Sequence, residues 1–358
     1  MTTGWTAAHV AGIDGASLPT LPVIVAADIV RVVPGHDLWD FWPLQTADGA
    51  VASVDGGELW FALSATATGA PELRHDRARL RVLRRDRTGW SDLGPALPDG
   101  FGPGSREWSG SAVVDADGAG LTLFFTAAGR LEETRVTYAQ RLFQTRAKLA
   151  LDGRPHDWTV PIEAVVSDGL DYVVADQADG KIGAIKAFRD PGYFRDPADG
   201  VEYLLFTASL GRSTSAFNGA VGVARQDGAG WSLLPPLVQA DGVNNELERP
   251  HVVVRNGLYY LFWSTQGSVF APGIEAPTGL YGMVAERLLG PYAPLNGTGL
   301  VLANPSAAPA QAYSWLVLDD LRITSFIDQV GPGRGFGGAP APEARLIVHG
   351  TRTKLADK

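Results

Sequence analysis

The segment His251-Val-Val-Val-Arg-Asn-Gly-Leu-Tyr-Tyr-Leu-Phe-Trp-Ser264 contains the pattern that decides the fold of this chain. Runs of β-branched and aromatic residues flank the dipeptide Asn256-Gly257 on both sides. An Asn-Gly pair in this setting is the strongest short-range signal for a β-hairpin. The segment is therefore predicted to form two antiparallel strands joined by a tight turn.

The same unit recurs along the chain, as an apolar run, a polar turn and a second strand of large apolar residues. The units cover 51–64, 111–126, 195–207, 251–264 and, more weakly, 313–326, with turns at Asp55, Asp117, Asp199, Asn256 and Asp319. Each interval between turns has room for about four strands, which is one propeller blade. The sequence thus predicts an all-β fold, a five-bladed β-propeller with a central funnel.

Few segments depart from this pattern, and no linker divides the chain. Residues 1–358 are expected to form a single five-bladed propeller domain. The stretch from Arg130 to Leu151 is ambiguous between helix and strand, and 331–342 is too rich in Gly and Pro for regular structure. The run Arg345-Leu-Ile-Val348 is predicted to be a last strand that closes the final blade.

Composition narrows the class of partner. The formal net charge of −9 argues against nucleic acid or an anionic membrane surface and suits a neutral substrate. The chain has no cysteine, and its six histidines show no metal-ligand spacing, so we expect neither a metal nor another cofactor. The N-terminus lacks the pattern of a classical signal peptide, so we expect a cytoplasmic protein or export by another route.

Unusual polar residues precede the turns of successive units. Asp40 lies between Trp39 and Trp42, Asp190 follows an arginine, and Glu248 precedes one. Equivalent positions on the inner strands of a propeller all approach the central axis. The repeat therefore predicts that Asp40, Asp190 and Glu248 converge at one mouth, where tryptophans offer flat faces for a sugar ring.

The neighbours of these carboxylates suggest how they are tuned. Glu246 and Glu248 share one face of a strand, and crowding is expected to raise the pKa of one toward that of a general acid. Arg189 is suited to keep Asp190 ionised, whereas Arg249 is expected on the opposite face as a structural partner. The second Arg-Asp-Pro string, at 195–197, leads straight into a turn and is not assigned to the site.

Six motifs, in this order, resemble glycoside hydrolase family 68, the levansucrases and related bacterial β-fructofuranosidases. The resemblance covers most of the chain and rests on Trp39-Asp40-Phe41-Trp42-Pro43-Leu44-Gln45, Glu107-Trp108-Ser109-Gly110-Ser111-Ala112, Phe188-Arg189-Asp190-Pro191, Glu246-Leu247-Glu248-Arg249, the segment 290–301 and Tyr313-Ser314. The family fold, a five-bladed propeller, agrees with the repeat count.

The resemblance implies a retaining cleavage of sucrose with transfer of the fructosyl group. Asp40 would be the nucleophile, Glu248 the acid and then the base, and Asp190 the stabiliser of the transition state. The residues that would bind substrate, by lining the fructosyl pocket, holding the substrate or orienting the acid, are Trp39, Trp108, Ser109, Arg189, Glu246 and Tyr313.

Several departures from the family pattern bear on substrate specificity or on calcium binding. Phe41 stands where relatives carry a small hydroxyl residue, and Gln266 stands where they carry Arg or His on the acceptor side. Asn245 replaces an acidic residue of calcium-binding relatives, so no calcium site is expected. The chain is also compact for the family, which implies short rim loops.

The resulting hypothesis is an enzyme that transfers fructosyl from sucrose to water or to sugar acceptors, giving fructo-oligosaccharides or levan in the second case. Gln266 and the short loops tilt the expectation toward hydrolysis and short products. The alternatives are a propeller that binds carbohydrate without cleaving it, or another five-bladed glycosidase acting on fructan or arabinan.

Overall fold

The computed structural model describes residues 2–228, 230–331 and 335–356. The strands of these residues form five antiparallel blades around a central axis, which confirms the predicted propeller. In each blade the first strand lies nearest the axis and is called the inner strand here. Parallel pairing of Leu44 with Ala112 and Gln45 with Val113 joins the inner strands of the first two blades.

The blades follow one another along the chain. Blade I contains His36–Gln45, Ser53–Val54, Gly57–Thr66, Arg79–Asp86 and Gly89–Pro95. Blade II contains Arg106–Val114, Gly120–Ala128 and Tyr138–Leu149, with Pro155–His156, Ile162–Val165 and Asp176–Gln177 along its outer edge. Blade III contains Phe188–Arg195, Glu202–Ser209, Gly219–Asp227 and Gly230–Gln239, and Thr3–Gly4 adds a parallel strand.

Blade IV contains Glu248–Arg255, Leu258–Thr265 and Gly279–Ala285, with Ala293–Pro294 and Leu300–Ala303 beside the last of these. Blade V contains Ala312–Val317, Arg322–Ile327, Ala344–His349 and Arg352–Leu355. The predicted strand at 345–348 therefore lies within Ala344–His349, but the expectation that it is the last strand is wrong, because Arg352–Leu355 follows it and forms the edge of the blade. The ambiguous stretch that begins at Arg130 contains the third strand of blade II.

Helical segments within the described residues are short. They are the α-helix Ala7–Ala11 and the 3-10 segments Ala26–Asp28, Pro71–Arg77, Gly267–Val269 and Leu295–Gly297. None of the helices in this part of the chain has the length and apolarity to cross a membrane. Of the segment 331–342 that was predicted to be irregular, 332–334 lie outside the described residues, and the rest contains isolated bridges at Phe336 and Pro340.

The predicted turns each join two antiparallel strands of one blade. In blades II to V the first of these is the inner strand, whereas in blade I the turn at Asp55 joins Ser53–Val54 to Gly57–Thr66. At the turn of blade IV, Asn256 and Gly257 have φ values of 52° and 76°, and Asp55 and Gly56 of blade I have 47° and 73°. Positive φ at both central residues is the signature of a type I′ turn. The local turn chemistry therefore sets the hairpins from which the blades are built.

Large apolar side chains fill the space between blades. Trp60 and Trp263 on second strands are fully buried, and Trp5 near the N-terminus packs edge-on against Trp263 with 5.4 Å between ring centroids. The Trp5 indole also donates a 2.9 Å hydrogen bond to the carbonyl of Thr298. The N-terminal segment thus fastens blade III to blade IV.

Each inner strand carries a β-bulge near the same level of the axis. The pairing shifts between Trp39 and Trp42, Trp108 and Gly110, Arg189 and Gly192, Glu248 and His251, and Tyr313 and Leu316. A bulge re-aims the side chain that it carries, and bulges are enriched next to active sites. The five bulges therefore mark the level at which side chains turn toward the axis.

Candidate active site

A narrow pocket of about 50 Å³ opens at the level of the bulges. It is lined by Asp40, Leu63, His75, Trp108, Ile182, Ile185, Arg189, Asp190, Glu248 and Arg249. The structure thus brings the three carboxylates together from blades I, III and IV. They are more than fifty residues apart in sequence, so only the closure of the propeller makes them neighbours.

The three carboxylates do not occupy equivalent positions. At their bulges Asp40 and Asp190 have left-handed backbone, with φ of 50° and 59°, and the residues in this conformation at the bulges of blades IV and V are Arg249 at 51° and Ser314 at 58°. Glu248 comes one residue before the bulged position of its blade. The three carboxylates were expected at equivalent positions on the inner strands. This expectation is wrong for Glu248, although its side chain still lines the pocket.

Arg189 lies between three acidic side chains. Its Nη2 is 2.7 Å from Oε1 of Glu248 and 3.2 Å from Oε1 of Glu246, and its Nε is 3.5 Å from Oδ2 of Asp190. Although burial opposes it, these carboxylates raise the pKa of Arg189 above its ordinary value. The guanidinium is a permanent positive charge that holds blades III and IV together at the axis.

Glu248 is held at both carboxylate oxygens. Arg189 donates to Oε1, and the Tyr313 hydroxyl donates to Oε2. Burial raises the pKa of Tyr313 well above its ordinary value, and the neighbouring Glu248 adds to this effect. Tyr313 therefore stays protonated and remains a donor, so Glu248 is fixed in one orientation from blades III and V.

Burial sets the proton affinity of the other carboxyl groups. It raises the pKa of Asp190 to about 7, a shift that Arg189 opposes and that Glu248 and Asp40 reinforce. Burial also raises the pKa of Asp40, against the positive charges of Arg249 and Arg74 and a hydrogen bond from Ser314. Burial likewise raises the pKa of Glu246, with Glu248 contributing in the same direction.

The remaining predicted substrate residues divide into three groups. Trp108 lines the pocket and its indole donates a 3.3 Å hydrogen bond to the carbonyl of His75. Trp39, Ser109, Glu246 and Tyr313 are buried directly behind the lining. Gln266 lies outside the lining, just before Gly267–Val269, where Oε1 accepts a 3.4 Å hydrogen bond from Ser268.

Arg249 is the principal residue that the sequence reasoning misplaced, because it lines the pocket instead of facing away from it. Its guanidinium donates to Ser314 Oγ at 2.7 Å, to the Ser314 carbonyl at 3.2 Å and to the Phe41 carbonyl at 2.8 Å. It thereby joins blades I, IV and V beneath the nucleophile candidate. A signal existed, since Pro250 follows Arg249 as Pro191 follows Asp190.

Arg74 and His75 were also missed. They lie on the 3-10 segment Pro71–Arg77, between the strands Gly57–Thr66 and Arg79–Asp86 of blade I, where no repeat position marks them. The His75 ring packs edge-on against Trp39, and the Arg74 guanidinium lies over the Trp39 ring, with centroid distances of 5.6 Å and 5.5 Å. Burial and then the nearby arginines lower the pKa of His75 well below its ordinary value, so the ring is neutral.

The side chain of Asn245 accepts a hydrogen bond from the ammonium group of Lys186. Lys186 Nζ donates to the carbonyl of Ala216 at 2.6 Å, to Asn218 Oδ1 at 2.6 Å and to Asn245 Oδ1 at 3.0 Å. Within the described ranges, no group of three or more His, Asp or Glu residues has the arrangement of a metal site. Lys186 therefore ties together three segments, one of which leads directly into Glu246 and Glu248.

A second cavity of about 440 Å³ lies along the axis below the pocket. Asp190 and Arg249 line both spaces and form the floor between them. Asp196, from the second Arg-Asp-Pro string, lines only the lower cavity of the two and accepts a 2.5 Å hydrogen bond from Tyr259. Of the two Arg-Asp-Pro strings, the one at 189–191 therefore contributes to the pocket, and the one at 195–197 contributes to the scaffold.

Several buried polar atoms around the pocket have no hydrogen-bond partner among the residues that the structure describes. They are the donors Trp39 Nε1 and Arg189 Nη1, the hydroxyl of Ser109 and both carboxylate oxygens of Glu246, of which Oε1 keeps its ion pair with Arg189. Buried polar groups are rarely left unpaired. A small ligand with several hydroxyl groups, each of which both donates and accepts, matches this mixture of donors and acceptors.

Comparison with known proteins agrees with this arrangement. The model of glycoside hydrolase family 68, described as levansucrase/invertase, matches residues 1–221 and 212–357. The chain belongs to this family. The resemblance read from the six motifs is thereby confirmed.

Family 68 relatives match over nearly the whole chain. A levansucrase of Zymomonas mobilis is 35% identical over 96% of this chain and 86% of its own length. A levansucrase of Rahnella aquatilis is 32% identical over 98% of this chain and 93% of its own length. Among solved structures, an inulosucrase from Halalkalicoccus jeotgali bound to kestose is 39% identical with a TM-score of 0.90, covering 99% of this chain and 95% of that one.

Proposed function

We propose that this protein is a retaining enzyme that cleaves sucrose and transfers the fructosyl group to water or to a sugar hydroxyl. The observation that carries the proposal is the single pocket lined by Asp40, Asp190 and Glu248, with Arg189 bridging the last two. Family membership and the levansucrase and inulosucrase relatives support the same reaction. A neutral disaccharide also suits a chain with a formal net charge of −9.

In the first half of the reaction Asp40 attacks the anomeric carbon of the fructosyl unit. The glycosidic bond to glucose breaks, and Glu248 gives its proton to the departing glucose oxygen. Asp40 suits the nucleophile role because Arg249, Arg74 and Ser314 favour its ionised form against the cost of burial. Asp190 would accept hydrogen bonds from fructosyl hydroxyls, and these strengthen as positive charge develops on the ring.

In the second half Glu248 takes a proton from water or from an acceptor hydroxyl, whose oxygen then displaces Asp40 from the fructosyl carbon. The two donors on Glu248, Arg189 and Tyr313, hold it where it serves both leaving group and acceptor. Trp39, Trp108 and Ser109 would hold the fructosyl ring. The unpartnered atoms of Trp39 and Ser109 are suited to its hydroxyl groups.

The balance between transfer and hydrolysis depends on how well an acceptor sugar is held. Gln266 has no charge, and an amide binds a sugar hydroxyl less strongly than a guanidinium does. We therefore propose hydrolysis and short fructo-oligosaccharides as the main outcomes, ahead of long levan. The rival of a propeller that binds carbohydrate without cleaving it predicts sugar binding with no products.

The test is incubation with sucrose, with free glucose and free fructose measured separately. Glucose in excess of fructose means transfer, and the missing fructose is then sought as oligosaccharide or levan. Equal amounts mean hydrolysis. Release of neither sugar by the wild type would overturn the proposal and favour the binding rival.

Two variants test the assignment of the nucleophile. Asp40→Ala is expected to abolish release of both sugars. Asp196→Asn is the matched control, because Asp196 belongs to the duplicated tripeptide and lines the lower cavity. Activity that survives in Asp40→Ala would remove Asp40 from the nucleophile role.

A further inference from the structure

A buried hydroxyl group near the end of the second strand recurs in blades II, III and IV. Each of these hydroxyls accepts a hydrogen bond from a backbone N–H on the inner strand of the following blade. The pairs are Asp190 N to Thr126 Oγ1 at 2.8 Å, Arg249 N to Thr207 Oγ1 at 3.0 Å and Trp315 N to Ser264 Oγ at 2.9 Å. These hydrogen bonds, called latches here, join successive blades at the level of the bulges.

The three latches differ in where the hydroxyl proton points. Thr126 donates to the Ser109 carbonyl at 3.1 Å, and Ser264 has a 3.4 Å contact to the Trp315 carbonyl. Thr207 instead donates to Oδ2 of Asp190 at 2.9 Å. Of the three hydroxyls, that of Thr207 is therefore the one that bonds to a carboxylate of the pocket.

The hydrogen bonds of the Thr207 hydroxyl determine which oxygen of Asp190 is held by the protein. A hydroxyl has one hydrogen, so while its oxygen accepts the N–H of Arg249, that hydrogen is committed to Asp190 Oδ2. Arg189 Nε lies 3.5 Å from the same carboxylate oxygen. The arrangement engages Oδ2 from within the protein and leaves Oδ1 for a ligand.

The side chain of Thr207 is held rigidly. It is fully buried and pairs with Arg189 across the ladder of blade III. Its β-branched side chain has few rotamers, so the hydroxyl is held without further ordering. The latch therefore fixes the carboxylate relative to the backbone of Arg249 in the next blade.

We propose that Thr207 is a positioning residue that orients the Asp190 carboxylate toward the fructosyl hydroxyls through the latch to Arg249. This inference rests on the proposed function, because it assigns Asp190 to the substrate. It adds a residue outside the pocket lining, which acts through its hydrogen bonds to the Asp190 carboxylate and the Arg249 backbone. It also gives a reason for a threonine near the end of the apolar strand Glu202–Ser209 of blade III.

The test compares Thr207→Val, which keeps the shape and removes the hydroxyl, with Thr207→Ser, which keeps the hydroxyl. Loss of a hydrogen bond to a charged group predicts that kcat for sucrose falls about 10- to 100-fold in the valine variant, with a smaller change in KM. The serine variant should recover most of the rate. Ser264→Ala is the matched control, since it removes a blade latch that bonds to no carboxylate.

The pH profile separates positioning from a general loss of packing. The Thr207 hydrogen bond lowers the pKa of Asp190, so its loss should move the acid limb of kcat/KM to higher pH. Thr207→Ser and Ser264→Ala should keep the wild-type limb. If Thr207→Val fails to fold, Thr207→Ala is measured in its place.

A second readout needs no sucrose and so distinguishes failure of this inference from failure of the proposed function. Burial raises the folded-state pKa of Asp190 to about 7, so the contribution of Asp190 to stability falls as pH rises from the ordinary aspartate range toward that value. Removing the hydroxyl should enlarge this fall, and the Tm difference between Thr207→Val and wild type should grow from pH 5 to pH 8. A constant Tm difference, or an unchanged kcat and acid limb in Thr207→Val, would overturn the inference.

Discussion

Nη2 of Arg189 lies 2.7 Å from Oε1 of Glu248, so the inner strands of blades III and IV are joined at the pocket itself. The same nitrogen is 3.2 Å from Glu246, and another nitrogen of the guanidinium faces Asp190. A planar fork can hold several carboxylates in fixed directions, which a single ammonium group cannot do.

Arg189→Lys should therefore lower kcat by about 100-fold or more while the fold is kept, because one ammonium replaces a guanidinium that orients several groups. Steady-state kinetics on sucrose and a thermal melt measure the two effects. Arg195→Lys is the control, since Arg195 opens the duplicated tripeptide and is exposed. Equal losses in the two variants would argue against a role for Arg189 in the site.

The pH dependence of the reaction should reflect Asp190. Because burial raises its pKa to about 7, protonation begins well above the ordinary range of an aspartic acid. The ionised form of Asp190 accepts hydrogen bonds from the sugar more strongly and opposes the positive charge that develops on the ring, so kcat/KM should fall as pH decreases through this value. A profile measured between about pH 4 and pH 9 that stays flat down to about pH 5 would contradict this role.

Lys186→Met should destabilise the segment that precedes Glu248. The ammonium group donates to three oxygens from two other segments, and methionine keeps the length of the side chain without any donor. We expect a loss of about 1–3 kcal/mol in the free energy of unfolding, measured with denaturant, together with a lower kcat.

Lys181→Met is the control for this prediction, because Lys181 is exposed on the same segment of the chain. It should leave both quantities near the wild-type values. A Lys186→Met variant with unchanged stability would show that the three hydrogen bonds are not needed to hold Asn245.

Gln266→Arg should raise the ratio of transfer to hydrolysis. A guanidinium provides more donors than an amide and binds acceptor hydroxyls more strongly. The measurement is the excess of glucose over fructose at high sucrose, with Gln266→Ala as the comparison. An unchanged ratio in both variants would place the acceptor site elsewhere.

The blades could be predicted from sequence because their signals are local. A dipeptide such as Asn256-Gly257 forms its turn through its own backbone preferences, and alternating apolar residues define the strands around it. The same reasoning located Asp40 and Asp190 near the axis, since both precede a hairpin turn. It could not give the register of the bulge, because the distance from bulge to turn differs between blades.

The sequence alone predicts the number of blades, their hairpins and the family to which the chain belongs. The tertiary structure decided that Lys186 contacts Asn245 and that Thr207 contacts Asp190. These contacts depend on how neighbouring blades close around the axis. They join residues from different segments, so no local pattern in the chain encodes them.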